Sequence, residues 1–305
     1  MADIAILGIF AADTAYRAPR LPMMGETLLG DGFALNPGGK GSNQAVAAAR
    51  AGGSVAFLSK IGADTFGDMA MATWDDAGVT FAGDRVADQP TGAAFIFLDS
   101  ATGDNAIIVA PGAAGTISEA DVEGWAATIR SARVFICQLE QPLEAAQRAL
   151  AVARDAGVRT VLNPAPAAEL PDAMLSLCDL ITPNESEAAL LTGIAVDSLE
   201  DAERAAKALV ARGVGAAIIT LGERGALFHD GNRTIHVEAR TAGDVVETTG
   251  AGDAFNGALA VALSEGQQID AALRFANACA AISVTRAGAA PSMPDRSEID
   301  RLLLG

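Results

Sequence analysis

The sequence predicts an α/β fold: a doubly wound, mostly parallel sheet covered by helices on both faces, with a small separate β-sheet beside it. Three observations predict it. Apolar, β-rich runs alternate with Ala-rich helical runs through most of the chain, the order of a parallel sheet with crossover helices. Half of the 305 residues are hydrophobic and 19% are charged, so the chain can bury a sizeable core. Two stretches, 11–36 and 90–112, carry short strand-like runs with no helix between them.

The elements follow in order. "IAILGIF" reads as the first strand; no basic region precedes it, so a signal peptide is not expected. The stretch 11–36 contributes "TLLGDGFAL", and "GSNQAVAAARAG" is a helix. "VAFLSKIG" reads as a strand and "TFGDMAMATWDDAG" as its helix. The stretch 90–112 contributes "GAAFIFLD" and "NAIIVA". In "GAAFIFLD" the period of two puts Phe95 and Phe97 on one face and Ile96 and Leu98 on the other, so both faces are apolar. The two insertions are expected to pack into one lid over a ligand site, on a single domain spanning 1–305. A lid over a small ligand alone has no use for a second apolar face, so a homodimer through paired lids is expected.

Further on, "RVFICQLE" is a strand and "PLEAAQRALAVARDAG" a helix. "RTVLNPAP" and "LITPN" are strands, "ESEAALLTG" and "LEDAERAAKALVARG" helices, and "AAIITLG" another strand. The last third is mostly two helices, "DAFNGALAVALSEG" and "DAALRFANACAAISVTRAG". Ligands of such sheets bind outside the carboxyl ends of the strands.

Bulk properties exclude several classes. A net charge of −17 repels nucleic acid and anionic membranes, so neither is expected as a partner. No apolar run reaches the length of a membrane span. Cys137, Cys178 and Cys279 are scattered, which suits reduced thiols in a cytoplasm better than disulfides or zinc. His229 and His236 fall in a polar hairpin and read as surface-strand residues.

Two common phosphate motifs fail. After Gly250 and Gly252 a dinucleotide fingerprint needs glycine at 255, which is Phe255. A Walker loop ending at Lys40 needs glycine at 34, which is Ala34, and Ser or Thr after the lysine, where Gly41 stands. No G-x-S-x-G elbow is present.

What remains is a set of polar, Gly-rich turns at strand ends. In "TTGAGDAFNGA", glycines run into a helix start that presents free N–H groups, a ready anion site, although Asp253 alone reads equally as an N-cap. In "NPGGKGSNQA", Lys40 is the only cation and Asn43 can both donate and accept, which suits a small polyol or an anion. In "TPNESEA", Asn184 and Glu187 taken alone read as a capping box. "TLGERGA" is otherwise an ordinary hairpin turn.

Together and in this order, "NPGGKGSNQA", "QLE", "NPAP", "TPNESEA", "TLGERGA", "TTGAGDAFNGA" and "RFANA…SVTRAGA" closely resemble the ribokinase family of PfkB-type carbohydrate kinases, from "GETLLG" to "EIDRLL". The resemblance implies a ribokinase-like fold with a β-sheet lid. It implies phosphoryl transfer from Mg·ATP to a sugar hydroxymethyl group. It makes Asp253 the catalytic base and Gly250, Ala251 and Gly252 the anion hole. It places the sugar between Asp13, Gly39, Lys40, Asn43 and Glu140. It assigns magnesium and phosphates to Asn184 and Glu187, and the nucleotide to Thr220, Gly222, Gly225 and Asn277. It maps a potassium site, mostly of backbone carbonyls, onto Glu247, Thr249, Ser283, Arg286, Gly288 and Ser292.

Two departures matter. Ribokinases typically read "GSxNxD" where this chain reads "GIFAAD", so Asp13 is kept while an Asn becomes Ala11. They usually carry Asp where this chain has Glu247. D-ribose, giving D-ribose 5-phosphate, is the leading expected substrate. A 2-deoxyribose or other pentose kinase, or a nucleoside kinase, is the alternative within the family. A sugar-binding sensor without catalysis is the alternative outside it, and the intact residues 250–253, Asn184 and Glu187 stand against that.

Overall fold

The computed structural model describes residues 2–304. The chain opens with β1 (Ile4–Leu7), β2 (Ala11–Ala18), β3 (Gly32–Gly38), α1 (Lys40–Arg50), β4 (Val55–Leu58), β5 (Lys60–Gly62) and α2 (Thr65–Ala77). Next come β6 (Thr80–Phe81), β7 (Asp84–Val86), β8 (Thr91–Asp99), β9 (Asn105–Gly112), α3 (Glu119–Ser131), β10 (Val134–Cys137), α4 (Leu143–Asp155) and β11 (Arg159–Leu162). Then follow α5 (Asp172–Leu175), β12 (Leu180–Ile181), α6 (Glu185–Thr192), α7 (Leu199–Ala211) and β13 (Ala216–Thr220). The chain ends with β14 (Ala226–His229), β15 (Thr234–Val237), α8 (Ala251–Ser264), α9 (Ile269–Ser283) and α10 (Arg296–Leu304).

Nine strands form the main sheet in the order β15-β14-β13-β12-β11-β10-β1-β4-β6. All neighbours are parallel except the β13–β14 and β14–β15 pairs. Alternation along β1 divides the core. Ile4 and Ile6 face a layer with residues of α1, α2, α8, α9 and α10. Ala5 and Leu7 face the other layer, with residues of α3, α4, α6 and α7. The chain leaves β1 towards β4 and later resumes on its other side at β10. That reversal opens a crevice at the carboxyl ends of β1 and β10.

Helix α8 lies in this core, and every residue from Asp253 to Ser264 is buried. That is why its sequence from Gly257 to Leu263 is apolar all round. It meets α1 at Gly257, where a Cβ would lie 2.6 Å from the Gln44 carbonyl oxygen. Only glycine lets the two backbones approach that closely.

The second sheet has the order β3-β2-β8-β9, with β2 and β8 parallel and the outer pairs antiparallel. Its strands lie within 11–38 and 91–112. Register puts Asp13 on one face with Ala11, Asn36 and Ala94. The other face carries Thr14, Tyr16, Phe33, Leu35, Phe95, Phe97 and Ile108.

Some expected boundaries shift. "VAFLSKIG" is two strands, because the chain turns at Ser59 and β5 pairs with β7 in a separate two-stranded ribbon. In "TLLGDGFAL" only the part from Gly32 is strand, and Leu29 stands 86% exposed. His229 is buried, with Nδ1 3.0 Å from Thr234 Oγ1; His236 is exposed.

Candidate active site

Two helix N-termini meet in the crevice. Helix α1 starts after Gly39, at φ 89°, where a Cβ would lie 2.5 Å from the Ile9 carbonyl oxygen. Helix α8 starts after Gly250, at φ 80°. Neither has a side-chain cap; the Ile9 carbonyl takes the Ser42 N–H and the Thr248 carbonyl takes the Ala251 N–H, and among the first-turn N–H groups those of Gly41, Gly252 and Asp253 have no protein partner among the described residues. At α1 the Glu140 carboxylate takes the Lys40 N–H at 2.7 Å. Helix α8 already includes Ala251 and Gly252, two residues earlier than the expected start at Asp253. The glycine turn therefore forms the helix terminus itself.

Asp253 sits in that first turn but is not the cap. Its carboxylate points across to α1. Oδ2 accepts from Asn43 Nδ2 at 3.0 Å and Oδ1 accepts from Gln44 Nε2 at 3.1 Å. Burial raises its pKa, against the opposing effects of Lys40 and the Gln44 and Asn43 amides. Asn43 Oδ1 is buried and has no hydrogen-bond partner among the described residues. It is an acceptor available to a hydroxyl.

Asp13 closes the other side. Its carboxylate lies over Gly38, where a Cβ would come within 2.2 Å of Oδ2. Burial, then the charge of Asp253, pushes its pKa up to about 6. Burial likewise pushes Glu140 up to about 7, against the pull of Lys40. The structure thus brings Asp13, Lys40, Asn43, Glu140 and Asp253 together, within hydrogen-bonding or electrostatic reach of one another.

Asn184 and Glu187 form a capping box at the start of α6, with both reciprocal hydrogen bonds at 2.9 Å. Glu187 is buried, and burial raises its pKa, with Lys40 and Asp253 within electrostatic reach. A lone bridge pairs Asn184 with Thr220 at the end of β13. Gly222 and Gly225 follow at φ 55° and 91°, and at Gly225 a Cβ would lie 2.0 Å from the Val237 carbonyl oxygen. Asn277 holds this edge by donating from Nδ2 to the Val237 and Glu238 carbonyls at 3.1 and 3.2 Å.

Behind α8, Glu247 Oε2 accepts from Gly288 N at 2.8 Å. Glu247 N also bonds the Val284 carbonyl, so residues 247 and 284–288 are tied together. Ser283 and Ser292 donate their hydroxyl protons to the Ala280 and Ala289 carbonyls, leaving lone pairs to accept. Arg286 is engaged with Glu298. Among the described residues no cluster of three or more His, Cys, Asp or Glu could hold a metal ion.

The model of the family described as "pfkB family carbohydrate kinase" matches residues 1–296. The chain belongs to the pfkB family of carbohydrate kinases. The ribokinase of Haemophilus influenzae is 40% identical over 296 residues, covering 97% of this chain and 96% of its own. The deoxyribokinase of Salmonella typhimurium is 35% identical over 303 residues, covering 99% of this chain and 98% of its own. The solved structure of Arabidopsis thaliana ribokinase complexed with ribose and ATP superposes with a TM-score of 0.93 at 32% identity, covering 99% of this chain and 98% of the other. The pfkB fold, nine-stranded sheet and small second sheet included, is therefore the one described above.

The motifs also contain residues that sequence reasoning did not single out. Gln44, Gln138, Asn163, Thr182 and Asn256 are all buried behind Asp253. Each stands inside a quoted motif, on or just after a strand end or helix start. A polar side chain in an otherwise apolar setting was the available signal.

Proposed function

We propose that this carbohydrate kinase transfers the γ-phosphoryl of Mg·ATP to the hydroxymethyl group of a pentose, D-ribose being the leading substrate. The observation that carries it is the buried Asp253 carboxylate in the first turn of α8, beside the open N-terminus formed by Gly250, Ala251 and Gly252. Asp13, Lys40, Asn43 and Glu140 hold the sugar, and the unpartnered Asn43 Oδ1 accepts from one of its hydroxyls. The second sheet serves as a lid over the sugar.

Asp253 cannot make a free alkoxide. A carboxylic acid lies so far below an alcohol in pKa that full deprotonation before attack would cost on the order of 16 kcal/mol. Burial raises Asp253 and narrows that gap without closing it. Asp253 therefore orients the hydroxyl and takes its proton late, as a loose transition state permits. The N–H groups at the start of α8 stabilise the charge of the transferring phosphoryl.

Thr220, Gly222, Gly225 and Asn277 line the nucleotide, and Asn184 and Glu187 face its phosphates. Asn184 and Glu187 would stand beside a magnesium ion carried by the nucleotide phosphates. It neutralises phosphate charge when bound. The Glu247, Thr249, Ser283, Arg286, Gly288 and Ser292 segments fit a monovalent cation, since lone pairs on Ser283 and Ser292 remain available. Glu247 spends one oxygen on Gly288 N and keeps the other.

Ala11 supports 2-deoxyribose as the second reading, as does the similarity to a deoxyribokinase. Ala11 is buried on the Asp13 face of the lid and offers a sugar hydroxyl no partner. Tyr16 cannot compensate, because its ring lies on the opposite face against Phe33 and Phe95. ATP turnover with a pentose panel, in potassium and in a non-binding organic cation, tests the whole reading. Pentose-dependent turnover is expected, faster in potassium; no turnover with any pentose overturns it. Ala11→Asn is expected to raise kcat/KM for ribose relative to 2-deoxyribose by about tenfold, roughly 1.4 kcal/mol. An unchanged ratio means that position 11 does not read the sugar.

A further inference from the structure

Behind the carboxylate that faces the sugar lies a buried chain of side-chain amides. Gln44 Nε2 donates to Asp253 Oδ1 at 3.1 Å and to Asn163 Oδ1 at 3.0 Å. Gln44 Oε1 accepts from Gln138 Nε2 at 2.6 Å. Asn163 Nδ2 donates to the Thr182 carbonyl at 3.2 Å. Thr182 Oγ1 donates to Asn256 Oδ1 at 2.6 Å, and Asn256 Nδ2 donates to the Gly252 carbonyl at 2.8 Å. The path leaves the chain at Asp253 and returns to it at Gly252. It closes a ring through α1, the ends of β11 and β12, and α8.

The ring has only one consistent sense. Gln138 supplies a proton to the Gln44 carbonyl, so the Gln44 NH2 must face Asn163 and Asp253. Were the amide turned over, its oxygen would meet two other acceptor oxygens, and its nitrogen would meet the Gln138 NH2. Gln138 is itself seated against two glycines: a Cβ at Gly8 or Gly41 would lie 2.5 or 2.9 Å from its Oε1. Gln44, Gln138, Asn163, Thr182 and Asn256 are each at most 7% exposed. A buried and connected network of this kind fixes one arrangement, because each lost partner leaves a polar group unpaired in a low dielectric.

Resting on the phosphoryl-transfer reading above, we propose that Gln44 is a positioning residue. Through the ring it holds the Asp253 carboxylate in register with the anion hole at Gly252. Asn43 grips Asp253 from the sugar side; Gln44 grips it from the core side and ties it to Asn163, Thr182 and Asn256. Gln44, Asn163, Thr182 and Asn256 are buried behind Asp253, and none of them is among the residues proposed to hold the sugar or the nucleotide. Loss of the ring therefore reduces turnover more than binding.

The test uses Gln44→Met, which keeps the length of the side chain and removes its donors, and Thr182→Val, which cuts the ring at its far end. Both are compared with wild type for kcat per sugar-binding site, counted by calorimetric titration, and for sugar KM. Wild-type turnover with ribose or 2-deoxyribose checks the functional reading independently; an inactive wild type defeats that reading and, with it, this one. With an active wild type, Gln44→Met is expected to lower kcat by about 10- to 100-fold with KM within threefold. Thr182→Val should lower kcat by a smaller factor in the same direction. The double variant should be no slower than Gln44→Met alone, since the two act in one chain. A purely structural role predicts fewer sites with normal kcat per site. That result overturns the proposal, as do multiplicative losses in the double variant. If Gln44→Met does not fold, Thr182→Val decides: kcat within a factor of 1.5 of wild type overturns the proposal.

Discussion

Asp253 receives an amide N–H on each carboxylate oxygen, from Asn43 and from Gln44, so the side chain is held from two sides before any substrate arrives. Asp253→Asn keeps the size of the group and removes the proton acceptor. It is expected to bind sugar and ATP while losing kcat by roughly 10²–10⁴-fold, the usual contribution of a positioned general base. More than a tenth of wild-type kcat in steady-state assays defeats the base assignment. Asp13 and Glu140 carry a different consequence, because burial raises them to about 6 and about 7. A carboxyl whose folded pKa is raised stabilises the fold below its unfolded value, and that stability is lost as pH rises through the folded value. The window set by these two groups runs from about 4 to about 7. Glu26 and Asp64, whose pKa values are lowered, oppose this trend only at lower pH. The sugar-free protein should therefore melt a few degrees higher at pH 6 than at pH 8, at about 2–4 °C per kcal/mol. In the proposed sugar site the ionised carboxylates accept from sugar hydroxyls, so sugar KM should rise over the same interval as pH falls. Asp13→Asn with Glu140→Gln should flatten the thermal trend; a persistent slope in scanning calorimetry assigns it elsewhere.

At the scale of elements, the site depends on how closely α1 and α8 pack. Gly257 faces the Gln44 carbonyl and the Ala47 side chain, at distances that a Cβ would bring to 2.6 and 2.7 Å. Gly257→Ala must push the helices apart. It is expected to cost about 1–3 kcal/mol, the range for overpacked cores, and to lower kcat further by moving Asn43 and Gln44 away from Asp253. Thermal melts and kcat of the same sample check this; an unchanged Tm would show that the helices separate freely. The legible part of the site follows from the same packing. Gly39, Lys40, Asn43 and Gly250–Ala251–Gly252–Asp253 are local turns into helices, and such turns carry their own chemistry in the sequence. The Asn184–Glu187 capping box is local too and was readable as such. The ring through Gln44 was not readable, because its pairings join residues as far as 209 positions apart. Strand ends were missed for another reason. "VAFLSKIG" is apolar on both sides of Ser59, and nothing in its period marks where β4 stops and β5 joins another ribbon.

For the whole molecule, the lid is the part whose surface is not explained by the site. Its Asp13 face turns to the proposed sugar site. Its opposite face carries Tyr16, Phe33, Leu35, Phe95 and Ile108 across all four strands, with Phe33 59% and Ile108 69% exposed. Tyr16 packs its ring, tilted, against Phe33 and Phe95, with centroids 5.0 and 5.7 Å apart, so these side chains form one continuous apolar surface. A patch of that kind marks an interaction surface. A self-complementary pairing of two lids about a two-fold axis would bury it twice over. We propose that the kinase is a homodimer through this face. Sedimentation velocity at micromolar concentration should give twice the mass of the chain. Phe33→Asp combined with Ile108→Asp places two carboxylates in the centre of the buried patch, where an unpaired charge is strongly unfavourable, and should return the monomer. The two substitutions lie on the face away from Asp13 and leave every proposed sugar contact in place. If the dimer also steadies the lid, the monomer should keep kcat within a few fold while its sugar KM rises, since closing the lid must then order β2 and Asp13 from a looser state. A wild-type monomer at micromolar concentration removes the interface. A dimer unaffected by both charges places it on another surface.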